Sequence, residues 1–443
     1  MDRNAALARE LVAGLEQAID RSTPVAMRGR VSKAVGMLID ATGIQAHVGE
    51  LCELVTPGEP PLLAEVVGFE HNRAILTPMG PTTGISALTE VIPSGRSHVC
   101  PVGPGLLGRV LDALGQPMDG RGPLAAQAWL PVHREPVSPL ARQRVQTPLP
   151  TGIRVIDGLL TLGTGQRIGV FSPPGVGKST LLGMLARGSA ADVNVVALIG
   201  ERGREVGEFI EHSLGPEGLA RTVMVVSTSD RSPMERVKSA FVATTIAEHF
   251  RDEGRSVLLL MDSLTRLARA QREIGLASGE PPTRRSYPPS IFSMLPQLLE
   301  RAGQGERGAI TAVYSVLTEG EDDNDPIAEE LRSILDGHVV LSRKLAAAGR
   351  FPAVDVLASV SRVMRQVVEP EHTAAATRVR ALLAKYQEIE LLVQIGEYRP
   401  GRDALADAAV QARPALQFFL DQAPQALQPF AQTVAALQHH GAA

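Results

Sequence analysis

Nine residues, Ser172-Pro173-Pro174-Gly175-Val176-Gly177-Lys178-Ser179-Thr180, follow an apolar run and precede a helical one, Leu181 to Arg187. A strand, a glycine-containing loop, Gly-Lys-Ser and a helix, in that order, form a phosphate-binding loop. Gly175 and Gly177 let backbone N–H groups turn inward around an anion. The helix behind them adds the positive end of its dipole. Lys178 can reach β- and γ-phosphates and Ser179 can ligate Mg²⁺, so the expected cofactors are ATP and Mg²⁺. The loop departs from the usual pattern at its first position, where Ser172 stands in place of glycine.

Such a loop needs two acids. Val257-Leu258-Leu259-Leu260-Met261-Asp262 ends an apolar run in a carboxylate. Burying that charge is costly unless it serves a cation or a water bound to one. Many strands end in Asp, and it is the partnership with the upstream loop that gives Asp262 its meaning. Glu201 opens the cluster Gly200-Glu201-Arg202-Gly203-Arg204-Glu205 after another apolar run, Val195 to Ile199. Strand ends converge on the ligand in open α/β sheets, so Glu201 is placed to polarise water beside a γ-phosphate. The plainer reading of the cluster is a solvated, charged helix start.

The elements needed to hold these groups are legible around them. Arg167 to Phe171, Val193 to Ile199, Thr222 to Ser227, Val257 to Met261 and Ile310 to Leu317 read as buried strands with helical patterns between most of them. That is the signature of an α/β domain with a mostly parallel sheet. Upstream, short β-prone runs (Arg30 to Val35, Met37 to Ala41, Val48 to Val55, Leu63 to Phe69, Arg73 to Thr77), punctuated by glycine, suggest a small β-barrel. After Pro370 the β signal fades, and residues 373–395, 403–411 and 414–438 read as helices. The expected organisation is 1–94, an N-terminal helix plus barrel; 95–370, a RecA-like nucleotide-binding domain; and 371–443, a helical C-terminal domain. Within residues 4–20, Leu7, Leu11, Leu15 and Ile19 form one apolar stripe, which either packs on its own protein or docks a partner.

Composition narrows the class. The chain has 443 residues, 44% of them hydrophobic, a net charge of −4 and 3% aromatics. A single-strand nucleic-acid channel wants a basic groove with stacking aromatics, and neither is evident, so no nucleic-acid partner is expected. The two cysteines, Cys52 and Cys100, form no CxxC pair and read as reduced thiols. The start lacks the apolar core of a signal peptide, and no apolar run approaches the ~20 residues of a membrane helix. The expectation is a cytoplasmic protein whose membrane association comes only through a surface or a partner.

Beyond these elements, the Gly-Lys-Ser loop, Gly200-Glu201-Arg202, Asp262-Ser263-Leu264-Thr265-Arg266, Pro288-Pro289-Ser290, Phe351-Pro352-Ala353-Val354-Asp355 and Ser359-Val360-Ser361-Arg362-Val363 together resemble the catalytic subunits of the rotary ATP synthase family. Asp157 to Thr161, Ala270 to Ala277, Gly279 to Arg285 and Ser333 to His338 resemble its type III secretion branch, which drives flagellar export and the injectisome. The resemblance implies a homo-hexameric ATPase that couples hydrolysis to chaperone release and protein export, in an injectisome or, alternatively, a flagellum. It implies Lys178 and Ser179 at phosphate and Mg²⁺, Glu201 as catalytic carboxylate, Asp262 as the metal-strand acid and Arg266 near the γ-phosphate. It also implies Phe351 against adenine, with Phe418 and Phe419 as candidates for a second ring, and Arg362 as an arginine finger reaching a neighbour's site. The branch tolerates small residues at the position of Ser172. Implied partners are a stator-like regulator at the N-terminus, a central stalk protein, chaperone–effector complexes and an export gate. The segment Gln394 to Gly401 is either an ordinary turn or a stalk contact. Readings from other classes, a hexameric RNA translocase or a scaffold without turnover, are opposed by the sparse aromatics of the barrel and by the intact set Lys178, Glu201, Asp262 and Arg362.

Overall fold

The structure, a computed structural model, describes residues 27–318 and 325–442 together with Val12. The expected N-terminal helix with Leu7, Leu11, Leu15 and Ile19 lies outside the described residues. The chain forms two compact units, Met1–His98 and Val99–Ala443.

The first unit is a closed barrel of six strands in the order β1-β2-β5-β4-β3-β6: β1 (Gly29–Val35), β2 (Leu38–Thr42), β3 (Glu50–Val55), β4 (Leu62–Glu70), β5 (Arg73–Pro78) and β6 (Glu90–Ser97). Alternation sends Val31, Ile39, Ala41, Cys52, Leu54, Ala64, Val66, Leu76 and Val91 inward. Five strands follow the expected runs. The sixth was hidden in the sequence by Pro93 and Gly95. Its irregularity is tolerated because the register with β3 shifts between Glu50 and Cys52. The buried Glu50 carboxylate fills the gap, accepting hydrogen bonds from the backbone N–H of Gly95 and His47 at 2.8 and 3.1 Å.

In the second unit a short antiparallel pair joins β7 (Val99–Val102) to β9 (Ala128–Pro131). The main sheet comprises β8 (Val110–Leu111), β10 (Arg167–Ser172), β11 (Val193–Glu201), β12 (Thr222–Thr228), β13 (Ser256–Asp262), β14 (Gly303–Gln304), β15 (Ala309–Leu317), β16 (Gly337–Leu341) and β17 (Val354–Ser361). Its order is β17-β16-β10-β15-β13-β11-β12-β8, with β14 paired to β15. From β16 to β8 the neighbours run parallel, and β17 closes one edge antiparallel to β16. β11 is buried along its whole length and β10, β13 and β15 nearly so, as a parallel sheet covered on both faces requires. Among the covering helices, Pro233–Asp252 starts from a full capping box between Ser232 and Glu235.

Three helices end the chain: Pro370–Gln394, Ala404–Leu420 and Phe430–Ala442. The expected break before Pro414 is absent. The helix Ala404–Leu420 runs through Pro414. The break falls at residues 421–429, where Gln422 leaves helical bonding to donate to Gly152 O and Ala426 O and to accept from Arg154 N. That stretch carries two prolines, Pro424 and Pro429.

Candidate active site

Residues 172–177 connect the end of β10 to the helix Lys178–Gly188. Gly175 and Gly177 both adopt positive φ, +81° and +89°, a region that penalises any side chain. Gly177 is the residue at which the helix begins, and a Cβ there would meet the Phe351 ring at 3.4 Å. Val176 anchors the loop in the core beside Leu181 and Leu182, while Pro174, Gly175, Ser179 and Thr180 face outward. Ser172, in the glycine position, is fully buried. Its carbonyl accepts from Thr318 N at 3.0 Å, and among the described residues its hydroxyl has no hydrogen-bond partner.

The neighbouring strands bring the acids to this loop. Asp262 ends β13, and its Oδ1 accepts hydrogen bonds from Lys178 Nζ and, at 2.5 Å, from Ser315 Oγ on β15. Lys178 Nζ also lies 3.4 Å from Ser315 Oγ and 3.9 Å from Glu201 Oε1. Glu201 ends β11. Its Oε2 pairs with Arg266 at 3.1 Å, and Arg266 also donates to Gly200 O. Gly200 is at φ +69°, and a Cβ there would meet Arg266 Cδ at 3.1 Å. Glycine before Glu201 therefore lets the guanidinium lie across the chain. Arg266 is itself held by the first turn of the helix Leu264–Ala277, which Ser263 caps.

Burial pushes the Glu201 carboxyl up to about 8. A hydrogen bond to Glu205 and the nearby charge of Asp262 act in the same direction, while Lys178 and Arg266 oppose them. Glu205, accepting that hydrogen bond, is held below the usual carboxylate range. The arrangement gives a buried acid next to a phosphate loop with a pKa close to neutrality, as a group that accepts a proton from water requires.

Five expected site residues thus gather at one end of the sheet: Lys178, Glu201, Asp262, Arg266 and Phe351, whose ring is 41% exposed over Gly177. Of the two further aromatic candidates, Phe419 packs in the core against Gly158, and Phe418 is 79% exposed with Arg154 5.7 Å from its ring. Arg362 stands apart. It is exposed, and its guanidinium donates to Arg332 O at 3.0 Å. Among the described residues, no hydrogen bond or ion pair joins Arg362 to the phosphate loop. Ser315 was not singled out from sequence. The one available signal was a hydroxyl inside the apolar strand Ala309–Leu317.

A parallel sheet that gathers a phosphate loop, a strand-end carboxylate and a second buried acid at one end defines a P-loop nucleotide hydrolase. Comparison with known proteins gives the narrower class. Residues 31–95 match the ATP synthase alpha/beta family β-barrel domain, residues 152–361 its nucleotide-binding domain, and residues 368–439 the T3SS EscN ATPase C-terminal domain. The type 3 secretion system ATPase of Xanthomonas euvesicatoria is 57% identical over 92% of each chain. A flagellum-specific ATP synthase of Treponema pallidum is 49% identical over 97% of this chain and 96% of its own. The assembled ATPase EscN of enteropathogenic E. coli superposes with a TM-score of 0.89 at 46% identity, covering 93% of this chain and 100% of EscN.

The chain belongs to the type III secretion ATPases of the ATP synthase alpha/beta family. It is an ATP-hydrolysing motor of bacterial type III protein export, on the injectisome rather than the flagellar side. Among the described residues, no helix is long and apolar enough to cross a membrane.

Proposed function

We propose that this motor works as a homo-hexamer whose catalytic sites lie between subunits, with Lys178, Ser179, Glu201, Asp262 and Arg266 from one chain and Arg362 from the next. The observation that carries the reading is the separation of Arg362 from an otherwise assembled cluster. Lys178 contacts the β- and γ-phosphates, Glu201 orients and deprotonates the attacking water, and Arg266 steadies Glu201 beside the γ-phosphate. Phe351 stacks on adenine, and Phe418 is the better placed of the two remaining rings to complete the pocket. An arginine finger is worth about 10³ to 10⁵ in rate, which gives the ring a reason to exist.

Mg²⁺ fits the donors present. Asp262 is 4% exposed and the Ser179 hydroxyl is exposed at the loop, so both offer hard oxygen. Mg²⁺ characteristically takes one or two protein oxygens and completes its shell with phosphate and water. The ion would neutralise phosphate charge there.

Around this engine we place the barrel unit in oligomerisation, the first twenty residues on a stator-like regulator, and the C-terminal helices on chaperone–effector complexes. EscN has been solved in complex with its central stalk EscO, a match of 45% identity and TM-score 0.87. That likeness supports a stalk partner here, with Gln394 to Gly401 and the exposed Leu391, Leu392 and Ile395 as its contact. The motor then sits in the cytoplasm against the inner membrane, below an export gate, where hydrolysis releases chaperones and feeds cargo. Steady-state ATPase activity measured across protein concentration tests the shared site: it should rise more steeply than linearly. Arg362→Ala should keep nucleotide affinity and lose at least 100-fold in turnover. Wild-type turnover by that variant under ring-forming conditions overturns the shared site.

A further inference from the structure

Ser315 lies in the middle of the site on the one strand, β15, that separates the phosphate-loop strand β10 from the acid strand β13. The register fixes it: Ser315 pairs with Val170 on β10, and its neighbour Tyr314 pairs with Met261, the residue before Asp262. The side chain is wholly buried. A buried hydroxyl without a partner costs free energy, and here it has two, Asp262 Oδ1 at 2.5 Å and Lys178 Nζ at 3.4 Å. Since an ammonium can only donate, the hydroxyl accepts from Lys178 and gives its own proton to Asp262.

Oδ1 of Asp262 is held by two donors, Lys178 and Ser315. Lys178 has a second destination. Its work on phosphate draws the ammonium away from Asp262, and nothing else among the described residues donates to that oxygen. Ser315 cannot leave, because it is fixed in the centre of a strand. After Lys178 departs, the Ser315 hydroxyl alone holds Oδ1 inward. The other oxygen, Oδ2, makes no hydrogen bond among the described residues and is left to face a cation. The geometry points to Ser315 as the positioning residue that keeps Asp262 oriented for Mg²⁺ once Lys178 has moved to the phosphates. The inference rests on the reading of Asp262 as the metal-serving acid.

The test compares Ser315→Ala, Ser315→Thr and Asp262→Asn in the full-length protein. Binding of a fluorescent ADP analogue is titrated in EDTA and across Mg²⁺ concentration, alongside ATPase rates. For Ser315→Ala, the Mg²⁺ concentration giving half-maximal enhancement of binding should rise about 10- to 100-fold, the worth of a hydrogen bond to a charged group. Affinity in EDTA should stay within a few fold, and Ser315→Thr, which keeps the hydroxyl, should restore the Mg²⁺ response. If Asp262→Asn shifts the Mg²⁺ response and Ser315→Ala does not, the positioning role is wrong while the metal reading stands. If Asp262→Asn also leaves the response unchanged, the metal reading itself falls. Equal loss of binding by Ser315→Ala with and without Mg²⁺ shows a merely structural serine and overturns the inference.

Discussion

Glu201→Gln separates the chemical step from binding and does so with a pH signature. With the carboxyl lifted to about 8, the free enzyme at pH 6 holds only about one Glu201 in a hundred as the carboxylate, and at pH 8 about half. The proposed role needs the carboxylate, so kcat/KM should climb about 50-fold between pH 6 and pH 8 and level off above. Glutamine keeps the shape and cannot take a proton. The variant should bind nucleotide within a few fold of wild type, turn over about 100-fold more slowly or worse, and lose the climb. Any slope it retains belongs to the nucleotide's own ionisation, which makes the variant its own control. The same shift predicts stability. The folded carboxyl titrates above its ordinary value of 4.5, so its contribution is fully present below pH 4.5 and is lost as pH rises toward about 8. Glutamine escapes that loss, and the variant should melt higher than wild type by a margin that grows across this window. Coupled ATPase assays and thermal melts from pH 5 to 9 read both. A flat wild-type kcat/KM profile, or a Gln variant that keeps the full climb, refutes Glu201 as the base.

Lys178→Ala removes the cation between Asp262 and Glu201. Hydrolysis should vanish in a phosphate-release assay, nucleotide affinity should drop in a fluorescence titration, and in the nucleotide-free protein the pKa of Glu201 should move further up. Gly177→Ala forces a Cβ into the left-handed region against the Phe351 ring, at a cost of about 1–2 kcal/mol. Denaturant titration should show folding stability lower by about that amount, and unchanged stability would mean that the loop relaxes out of the left-handed conformation. Mixing Arg362→Ala with Lys178→Ala subunits should restore part of the ATPase activity, since a mixed ring pairs an intact phosphate loop with an intact Arg362. Deleting residues 1–20 should leave the melting temperature within a few degrees and abolish co-purification with the regulator; loss of soluble protein would instead assign the stripe of Leu7, Leu11, Leu15 and Ile19 to packing.

Of the residues readable in advance, Glu201 and Asp262 end apolar runs, and Lys178 opens the helix behind the loop that follows one. Lys178 follows β10, Glu201 ends β11 and Asp262 ends β13, and in a parallel sheet the ends of such runs meet at the ligand. Ser315 is no less central, yet it lies inside its run rather than at its end. A hydroxyl in an apolar strand reads as ordinary until the register shows which strands flank it. The barrel divides in the same way. Strands marked off by glycines were legible, whereas β6 carries Pro93 and Gly95 within it and was not. At the C-terminus, Pro414 looked like a boundary, but the true break is set by long-range bonds from Gln422 to Gly152 and from Arg154 to Gln422, which no local pattern announces.

Charge gives the strongest physical ground for a site shared between chains. With Glu201 in the carboxylate form that its proposed role needs, Lys178 and Arg266 supply two positive charges within one subunit, and Asp262 and Glu201 supply two negative ones. Glu201 lies 3.1 Å from Arg266 and 3.9 Å from Lys178, and Asp262 accepts from Lys178, so the four groups balance each other. Nucleotide triphosphate brings about four more negative charges and Mg²⁺ returns two, so a deficit of about two remains as the γ-phosphoryl group detaches. In water that deficit would be screened. Beside residues as buried as Glu201 and Asp262 it is not, and Coulomb energies there are several-fold larger than in bulk solvent. Among the described residues, no cation besides Lys178 and Arg266 forms an ion pair with Glu201 or Asp262. Arg362 is exposed, spends its guanidinium on a single carbonyl, and follows β17 at the open edge of the sheet. In the shared site proposed above, this cation, kept out of its own cluster and displayed at an edge, supplies what a neighbouring site lacks. That asymmetry makes a closed ring, with every member both donor and acceptor, the simplest assembly in which each site is complete.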